Sequence, residues 1–311
     1  MKKTLVTVVV PVFNRETVVY KTLDSIARQS ARPISVILVD NNSTDNSLQI
    51  LNRWKEENNA PDFSVKILSQ PIPGAAAARN MGLQAVETKW VMFFDSDDYM
   101  HPNHISRALQ TAQENPQADI IGWDNLYHIG KKTIRCKFHT KKPQWHSLFG
   151  GSMATLRYFA KTELIKKAGA WNNDVRFWDD IELGIRLLKL KPTLVHAGKE
   201  ITVDVFLSPD SISVDSDGAN LDRMEMPLNL MAANLPPQNA IWADYVRMVE
   251  AGNVLAHQSN ATSQAKTKAK KLAKKVLSRA LGKHKFLLWT TFLYRKLGFR
   301  GHAIFLRPLI S

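Results

Sequence analysis

The pattern that most constrains this chain lies in its first 114 residues. Short apolar runs rich in Val, Ile and Phe at 5–12, 34–39, 65–68 and 90–94 each stop at a polar cluster, and segments of helical spacing at 16–29, 45–57, 75–86 and 102–114 follow them. Strands apolar on both faces must be covered on both, so this rhythm predicts an α/β fold: a doubly wound, mostly parallel sheet with helices on either side. After Asp119 the rhythm changes. Residues 120–127 and 133–138 read as two strands of a hairpin joined across 128–132, helices are expected at 161–168 and 179–189, and a strand at 201–206 closes the region. A catalytic domain over 1–216 is therefore expected, then a helical extension over 217–262 with helices at 220–233 and 239–257 split by Pro236-Pro237, and last a basic tail over 263–311.

Composition enters through that tail. The chain carries 42 Lys plus Arg against 28 Asp plus Glu, a net charge of +14. The last acidic residue is Glu250, and the 61 residues after it hold 13 Lys or Arg, which leaves 29 against 28 before that point. The excess charge thus belongs to the tail and not to the whole protein. Ala269, Leu272, Ala273, Val276, Ala280 and Leu281 recur at helical spacing with lysines on the other face and Gly282 as a stop, and Phe286, Trp289, Phe292 and Tyr294 follow beside Arg295 and Lys296. Such a segment suits a helix lying on an anionic membrane. It equally suits a charged helix packed on the protein through its apolar stripe. A nucleic-acid binder would also use it, but no nucleic-acid module accompanies the tail, so no nucleic-acid partner is expected.

Cys136 is the only cysteine, which excludes an internal disulfide or a multi-cysteine zinc site and fits a reducing compartment. The apolar start LVTVVVPVF is cut short at Asn14 with no small-residue cleavage site. FLLWTTFLY (286–294) falls well short of the roughly 20 apolar residues of a spanning helix. The expected location is cytoplasmic, peripheral on the inner face of the cell membrane.

In open α/β sheets, ligands bind beyond the carboxyl ends of the strands. In TVVVPVFNR (7–15), Pro11 ends the ladder and frees the backbone at Val12 and Phe13, with Asn14 offering an amide; the same residues also make a plain strand-to-helix turn. In VILVDNNSTD (36–45), Ser43, Thr44 or Asp45 can cap the next helix, whereas Asp40 is too early to do so. With Asn42 behind it, Asp40 can accept from a uracil imide or ribose hydroxyls. In PIPGAAAARNMGLQAV (71–86), Gly74 and four alanines let a helix begin against another backbone with Arg79 and Asn80 one turn in. No Gly-Lys-Ser/Thr follows, so this is not a Walker loop, and Arg79 is either a surface residue or a contact to base or phosphates.

KWVMFFDSDDYM (89–100) ends a buried strand in Asp95-Ser96-Asp97-Asp98. Three carboxylates in four residues repel one another, a cost that a divalent cation such as Mg²⁺ or Mn²⁺ relieves, although a solvated turn is the plainer account. FWDDIELGIRLL (177–188) opens a helix with acids that its dipole favours, and Glu182 with Arg186 is an ordinary i,i+4 pair. That leaves Asp179 and Asp180, beside the apolar shelf of Phe177 and Trp178, without a structural role.

Taken in order, these five segments resemble the family 2 glycosyltransferases of the GT-A fold, which show a Pro-x-Tyr/Phe-Asn first strand, an Asp-x-x-Ser-x-Asp loop, a Gly-x-x-x-Ala-Arg-Asn helix, an Asp-x-Asp strand end and a Glu-Asp-x-Glu/Asp-Leu helix start. The resemblance implies that Pro11, Val12, Phe13, Asn14, Asp40, Asn42 and Arg79 hold the nucleotide of a sugar donor, with Asp40 at the uracil of a UDP-sugar and Asp95 and Ser96 close by. It implies that Asp97 and Asp95 bind a divalent metal, Mn²⁺ or Mg²⁺. Asp180 would be the general base of one inverting displacement, with Asp179 in the place usually held by glutamate. The acceptor would be a hydroxyl of a glycan or a lipid-linked intermediate in bacterial surface-polysaccharide synthesis.

Many relatives place a metal-binding histidine where Ser208 stands here, three residues before Ser211 to Ser213. His196 lies on another segment and reads as structural. Trp123, Asp124, Trp145 and Trp171 could contact sugars, unless the tryptophans are simply buried. A sugar nucleotidyltransferase, the competing enzyme class, would want a Gly- and Lys-rich phosphate loop that residues 10–15 do not provide.

Overall fold

Strand β1 (Val6–Val12) shows why the sheet needs two covers, since Val6, Val8, Val9, Val10 and Val12 are all fully buried. Side chains alternate along a strand, so Val8 and Val10 join Val36 and Leu38 on one face while Val9 joins Ile37 and Val39 on the other. The first face packs on Leu23 and Ile26 of α1 (Val19–Ala27), Leu51 and Trp54 of α2 (Ser47–Asn58) and Ile105 of α4 (His104–Glu114). The second packs on Ala78 and Leu83 of α3 (Ala75–Gln84), Ile165 of α6 (Thr162–Lys167) and Leu183 and Leu187 of α7 (Asp179–Lys189). Burying a Val or Leu side chain stabilises by about 1.5–3 kcal/mol, and both sets draw on the same strands.

The computed structural model describes residues 4–207, 220–256 and 261–299. The chain divides into two compact units, Met1–Ser208 and Pro209–Ser311. In the first, seven strands are ordered β10-β6-β9-β4-β1-β2-β3, with β2 (Ile34–Asp40), β3 (Phe63–Ser69), β4 (Trp90–Phe93), β6 (Ile120–Gly122), β9 (Tyr158–Lys161) and β10 (Leu194–His196) beside β1. All pairings are parallel except those of β9, which runs antiparallel to β4 and β6. A second sheet is ordered β5-β11-β7-β8, from β5 (Tyr99–Met100), β11 (Val203–Phe206), β7 (Asn125–Ile129) and β8 (Lys132–Cys136). Helix α5 (Pro143–Gly150) completes this unit.

The structure departs from the sequence expectation after Asp119. The single strand expected over 120–127 is two, in different sheets. Trp123 turns the corner with its indole N–H bonded to the Leu156 carbonyl at 2.8 Å, and Asp124 accepts from the Phe138 backbone at 2.9 Å. The hairpin loop is shorter than expected, because Ile129 already pairs with Lys132 and leaves only Gly130-Lys131 between the strands. Strand β9, not expected from the sequence, is four residues long and too short to show a period, and the helix expected over 161–168 follows it as α6. The segment expected as one helix over 220–233 is two, α8 (Asn220–Arg223) and α9 (Glu225–Asn234). The expected domain limit at 216, and Ser208 with Ser211 to Ser213, lie outside the described residues.

The second unit is helical. Around α10 (Trp242–Ala256) pack α11 (Ser263–Arg279) and α12 (Gly282–Lys296). Buried Arg247 of α10 bonds Glu225, Asp244 and Asn229. Most of the tail stripe is not a free face: Ala269, Ala273, Val276 and Ala280 are buried in this unit and Leu272 is half-buried, while Leu281, past the end of α11, is 81% exposed. Gly282 does not stop a helix but opens the next one. No helix among the described residues is long and apolar enough to cross a membrane.

Candidate active site

Strands β1 and β2 end together, and β4 ends opposite Val9 of β1, so that the 95–98 turn carries on to the same edge. Val12 lies opposite Asp40, and the amide of Phe94, just past β4, donates to the Val9 carbonyl at 2.9 Å. One sheet edge therefore carries the 11–14 loop, Asp40 and the 95–98 turn, where a parallel sheet offers its ligand crevice. Asn14, in left-handed backbone at φ 50°, ties two loops together: its amide donates to Ser43 Oγ at 3.1 Å and its Oδ1 accepts from the Thr44 amide at 2.8 Å. Of its neighbours, Pro11 is half-buried, Val12 buried and Phe13 half exposed at 52%.

Asp40 is 4% exposed. Its Oδ2 accepts from the Ser43 amide at 3.3 Å, while Oδ1 is buried without a partner. A buried carboxylate oxygen in that state is costly unless a donor completes it. Asn42 is exposed, with φ 64°. The buried amide is its neighbour Asn41, which donates to the carbonyls of Gln70 and Ile72 and accepts from the Gly74 amide at 2.7 Å. Gly74 enters α3 at φ 132°, which a side chain would strain. Asn41 thus sets where α3 begins, a role that spacing did not single out.

Helix α3 carries Arg79 inward, not to the surface. Its Nη2 donates to Asp95 Oδ1 and its Nη1 to Asp179 Oδ2, both at 2.8 Å, and the guanidinium lies 5.7 Å from the Trp171 ring centre. The acidic strand end and the acidic helix start are therefore joined by one buried cation. Next to it, Asn80 holds Trp171 by both backbone groups, donating to its carbonyl and accepting from its amide at 2.9 Å each. That clamps the segment leading into α7.

The 95–98 turn divides its carboxylates. Asp98 is buried and accepts from the Phe206 amide at 2.9 Å, stitching the turn to β11, and burial with the nearby Asp95 raises its pKa well above the ordinary range. Ser96 is buried as well. Asp95 and Asp97 stay partly open to solvent, with side chains about a third exposed, and Arg15 approaches Asp97 at 3.6 Å. Burial first, then the charge of Asp95, raises the Asp97 pKa, while Arg15 opposes the shift. This electrostatic load is one that a divalent cation would relieve, and two carboxylates plus phosphate oxygens are what Mg²⁺ and Mn²⁺ accept. Among the described residues, no three His, Cys, Asp or Glu are grouped to hold a metal by themselves. No site role is expected of Arg15 from the sequence, although it is the last residue of the 7–15 segment.

Helix α7 opens from Trp178, at φ 56°, whose ring stacks on Phe177 at 5.0 Å to form the expected shelf. Asp180 is gripped at its start, Oδ1 accepting from the Ile181 amide at 2.8 Å and Oδ2 from the Thr155 amide at 3.4 Å. Burial first, then the charge of Asp179, pushes the Asp180 pKa up to about 6, against the pull of Arg79. Asp179 is raised by burial too, opposed by Arg79. A carboxylate poised there can accept a proton near neutral pH. Glu182 and Arg186 form the expected pair, bidentate at 2.7 Å on both arms.

Four sugar-contact candidates take structural roles. Trp123, Trp145 and Trp171 are buried. Both oxygens of Asp124 are engaged, Oδ1 by the Phe138 amide and His196 Nε2 and Oδ2 by Arg135 Nε, each at 2.9 Å. That contact also makes His196 structural, as expected.

Known proteins resemble this chain in sequence and in fold. The family model "Glycosyl transferase family 2" matches residues 7–165. A poly(ribitol-phosphate) beta-glucosyltransferase of Bacillus spizizenii is 32% identical over 256 residues, covering 80% of this chain and 37% of that protein. The crystal structure of S. aureus TarS 1-349 in complex with UDP-GlcNAc superposes with a TM-score of 0.67 at 17% identity, over 95% of this chain and 93% of that one. The mannosyltransferase PcManGT from Pyrobaculum calidifontis, in complex with GDP-Man and Mn²⁺, gives 0.58 at 17% identity, over 98% and 86%. The chain spans about half the length, or less, of the curated relatives matched first: 54%, 40%, 18% and 45%.

Proposed function

The chain belongs to glycosyl transferase family 2, with the GT-A fold, and on that premise we propose that it transfers a sugar from a nucleotide donor, a UDP-sugar, to a hydroxyl of a glycan or lipid-linked acceptor in surface-polysaccharide synthesis. The observation that carries the reading is the bridge at Arg79, which sets the Asp95 strand end beside the Asp179-Asp180 helix start. Donor and acceptor chemistry thereby share one crevice.

Asp40 Oδ1, buried and unpartnered, is the acceptor for an N–H or O–H of the nucleoside, beside the 11–14 loop. Asp95 and Asp97 would hold a divalent metal, which when bound supplies positive charge to the donor diphosphate. Asp180 faces the acceptor. In its deprotonated form it takes the hydroxyl proton as that oxygen bonds to the anomeric carbon. The bond from that carbon to the diphosphate oxygen breaks, its electron pair leaves with the nucleoside diphosphate, and the configuration inverts. Asp179 is held by Arg79, whose charge opposes the rise that burial imposes on it, and Arg79 offsets charge between the two motifs. The basic second unit supports a peripheral site of action on an anionic, cytoplasmic membrane face.

The test is a hydrolysis screen over UDP-, GDP- and dTDP-sugars with Mn²⁺, Mg²⁺ or EDTA. Turnover of a UDP-sugar that EDTA abolishes is expected. Asp180→Asn should lower transfer by about 10²- to 10⁴-fold with donor binding intact; near wild-type transfer by that variant would falsify the assignment of the base.

A further inference from the structure

The tail's charge was expected to act together with the apolar stripe of 265–281, but α11 spends that stripe inside its own unit, where Ala265, Ala269, Ala273 and Val276 are buried. Helix α12 has two stripes. One faces inward: Leu288 and Thr291 are fully buried, and Arg295 Nε donates to Asn253 Oδ1 of α10 at 2.7 Å. The other faces out. Phe286, Trp289, Leu293 and Leu297 follow one another at spacings of 3, 4 and 4 residues, which places them on a single helix face. Phe286 is 63% exposed, Trp289 47% and Leu297 70%, and the Phe286 and Trp289 rings lie 6.5 Å apart. At 3.6 residues per turn, Lys285 and Lys296 border this row on one side and Lys283 on the other, all three exposed.

We propose that this outward row of α12 is the surface that enters an anionic lipid interface, with the aromatic and leucine side chains at the acyl boundary and the flanking lysines at the headgroup phosphates. The proposal rests on the membrane reading above and names the face that performs it. Charge decides the occupant. After Glu250 the chain holds 13 Lys or Arg and no acid, so a second copy docking here would set like charges against each other, whereas an anionic leaflet complements them. An apolar face ringed by cations, with Trp and Phe among its exposed members, is the pattern of a helix lying in the interface plane.

The test uses the full chain with vesicles of phosphatidylcholine, either neutral or with about 30% phosphatidylglycerol, read by flotation over a salt series. Binding to the anionic vesicles is expected, about tenfold or more above the neutral ones and falling with salt. A Phe286→Ser/Trp289→Ser/Leu297→Ser variant, altered only at exposed positions, should bind about tenfold more weakly while keeping wild-type donor hydrolysis. If wild type ignores anionic vesicles, the membrane reading itself fails. If wild type binds and the triple variant binds equally well, the α12 row is overturned and the membrane reading stands. A wild-type dimer in solution that the triple variant abolishes would also overturn the proposal, by assigning the row to a second copy.

Discussion

At the scale of single residues, the site is organised by what burial does to its carboxylates. Asp180 and Asp179 are adjacent, and losing water raises both, so what sets them apart is that Arg79 reaches Asp179 and leaves Asp180 to backbone amides. In its proposed role as base, Asp180 works only when deprotonated, so the sign of the pH dependence is fixed. With the Asp180 pKa raised to about 6, the transfer rate at saturating donor should climb about tenfold per pH unit below that value and level off above it. The residual rate of Asp180→Asn should lack that acid limb. A wild-type profile flat down to about pH 4 would place the base elsewhere.

At the scale of elements, α3 matters more than its plain alanine-rich sequence suggests. Gly82 lets it approach the sheet so closely that a Cβ there would overlap the Val9 side chain and lie 3.3 Å from Val39 Cγ2. Both neighbours are β-branched and buried in strands, so neither has a free rotamer to move into. Arg79 rides on the same helix one turn earlier, at the depth this contact sets. Gly82→Val should therefore lower stability by roughly 2 kcal/mol, read as a shift in urea midpoint, and cost transfer activity although it touches no substrate. Unchanged stability and turnover would show that α3 can back away from β1 freely.

At the scale of the whole molecule, the net charge of +14 resolves into a near-neutral stretch up to Glu250 and an acid-free basic stretch after it, the one that holds α11 and α12. The tail is not a detachable appendage, because α11 and α12 cover α10, whose Tyr245, Met248, Ala251 and Gly252 side is buried. A chain ending at Thr262 is expected to expose that face, binding a hydrophobic dye and self-associating in size-exclusion chromatography. A monomeric, dye-silent product would mean that α10 holds its surface without them. For this reason point substitutions on the outer row of α12, and not truncation, separate membrane contact from folding.

Local events follow from the order of residues alone. Valine runs apolar on both faces can only be strands inside a two-covered sheet, polar residues at their ends can only lie at its edge, and Asp40, Asp95, Asp97, Asp179 and Asp180 were legible there because each follows or precedes a strong periodic segment. Tertiary structure alone decided the rest, since it concerned contacts between segments far apart in the chain. That Arg79 turns inward to join Asp95 to Asp179 depends on the approach of α3 and α7 across the sheet edge. Whether the apolar stripe of α11 is free or spent depends on α10, and the choice of Asn41 over Asn42 as the buried amide depends on the 70–74 loop. Periodicity specifies which face of an element is apolar; only packing specifies what that face meets.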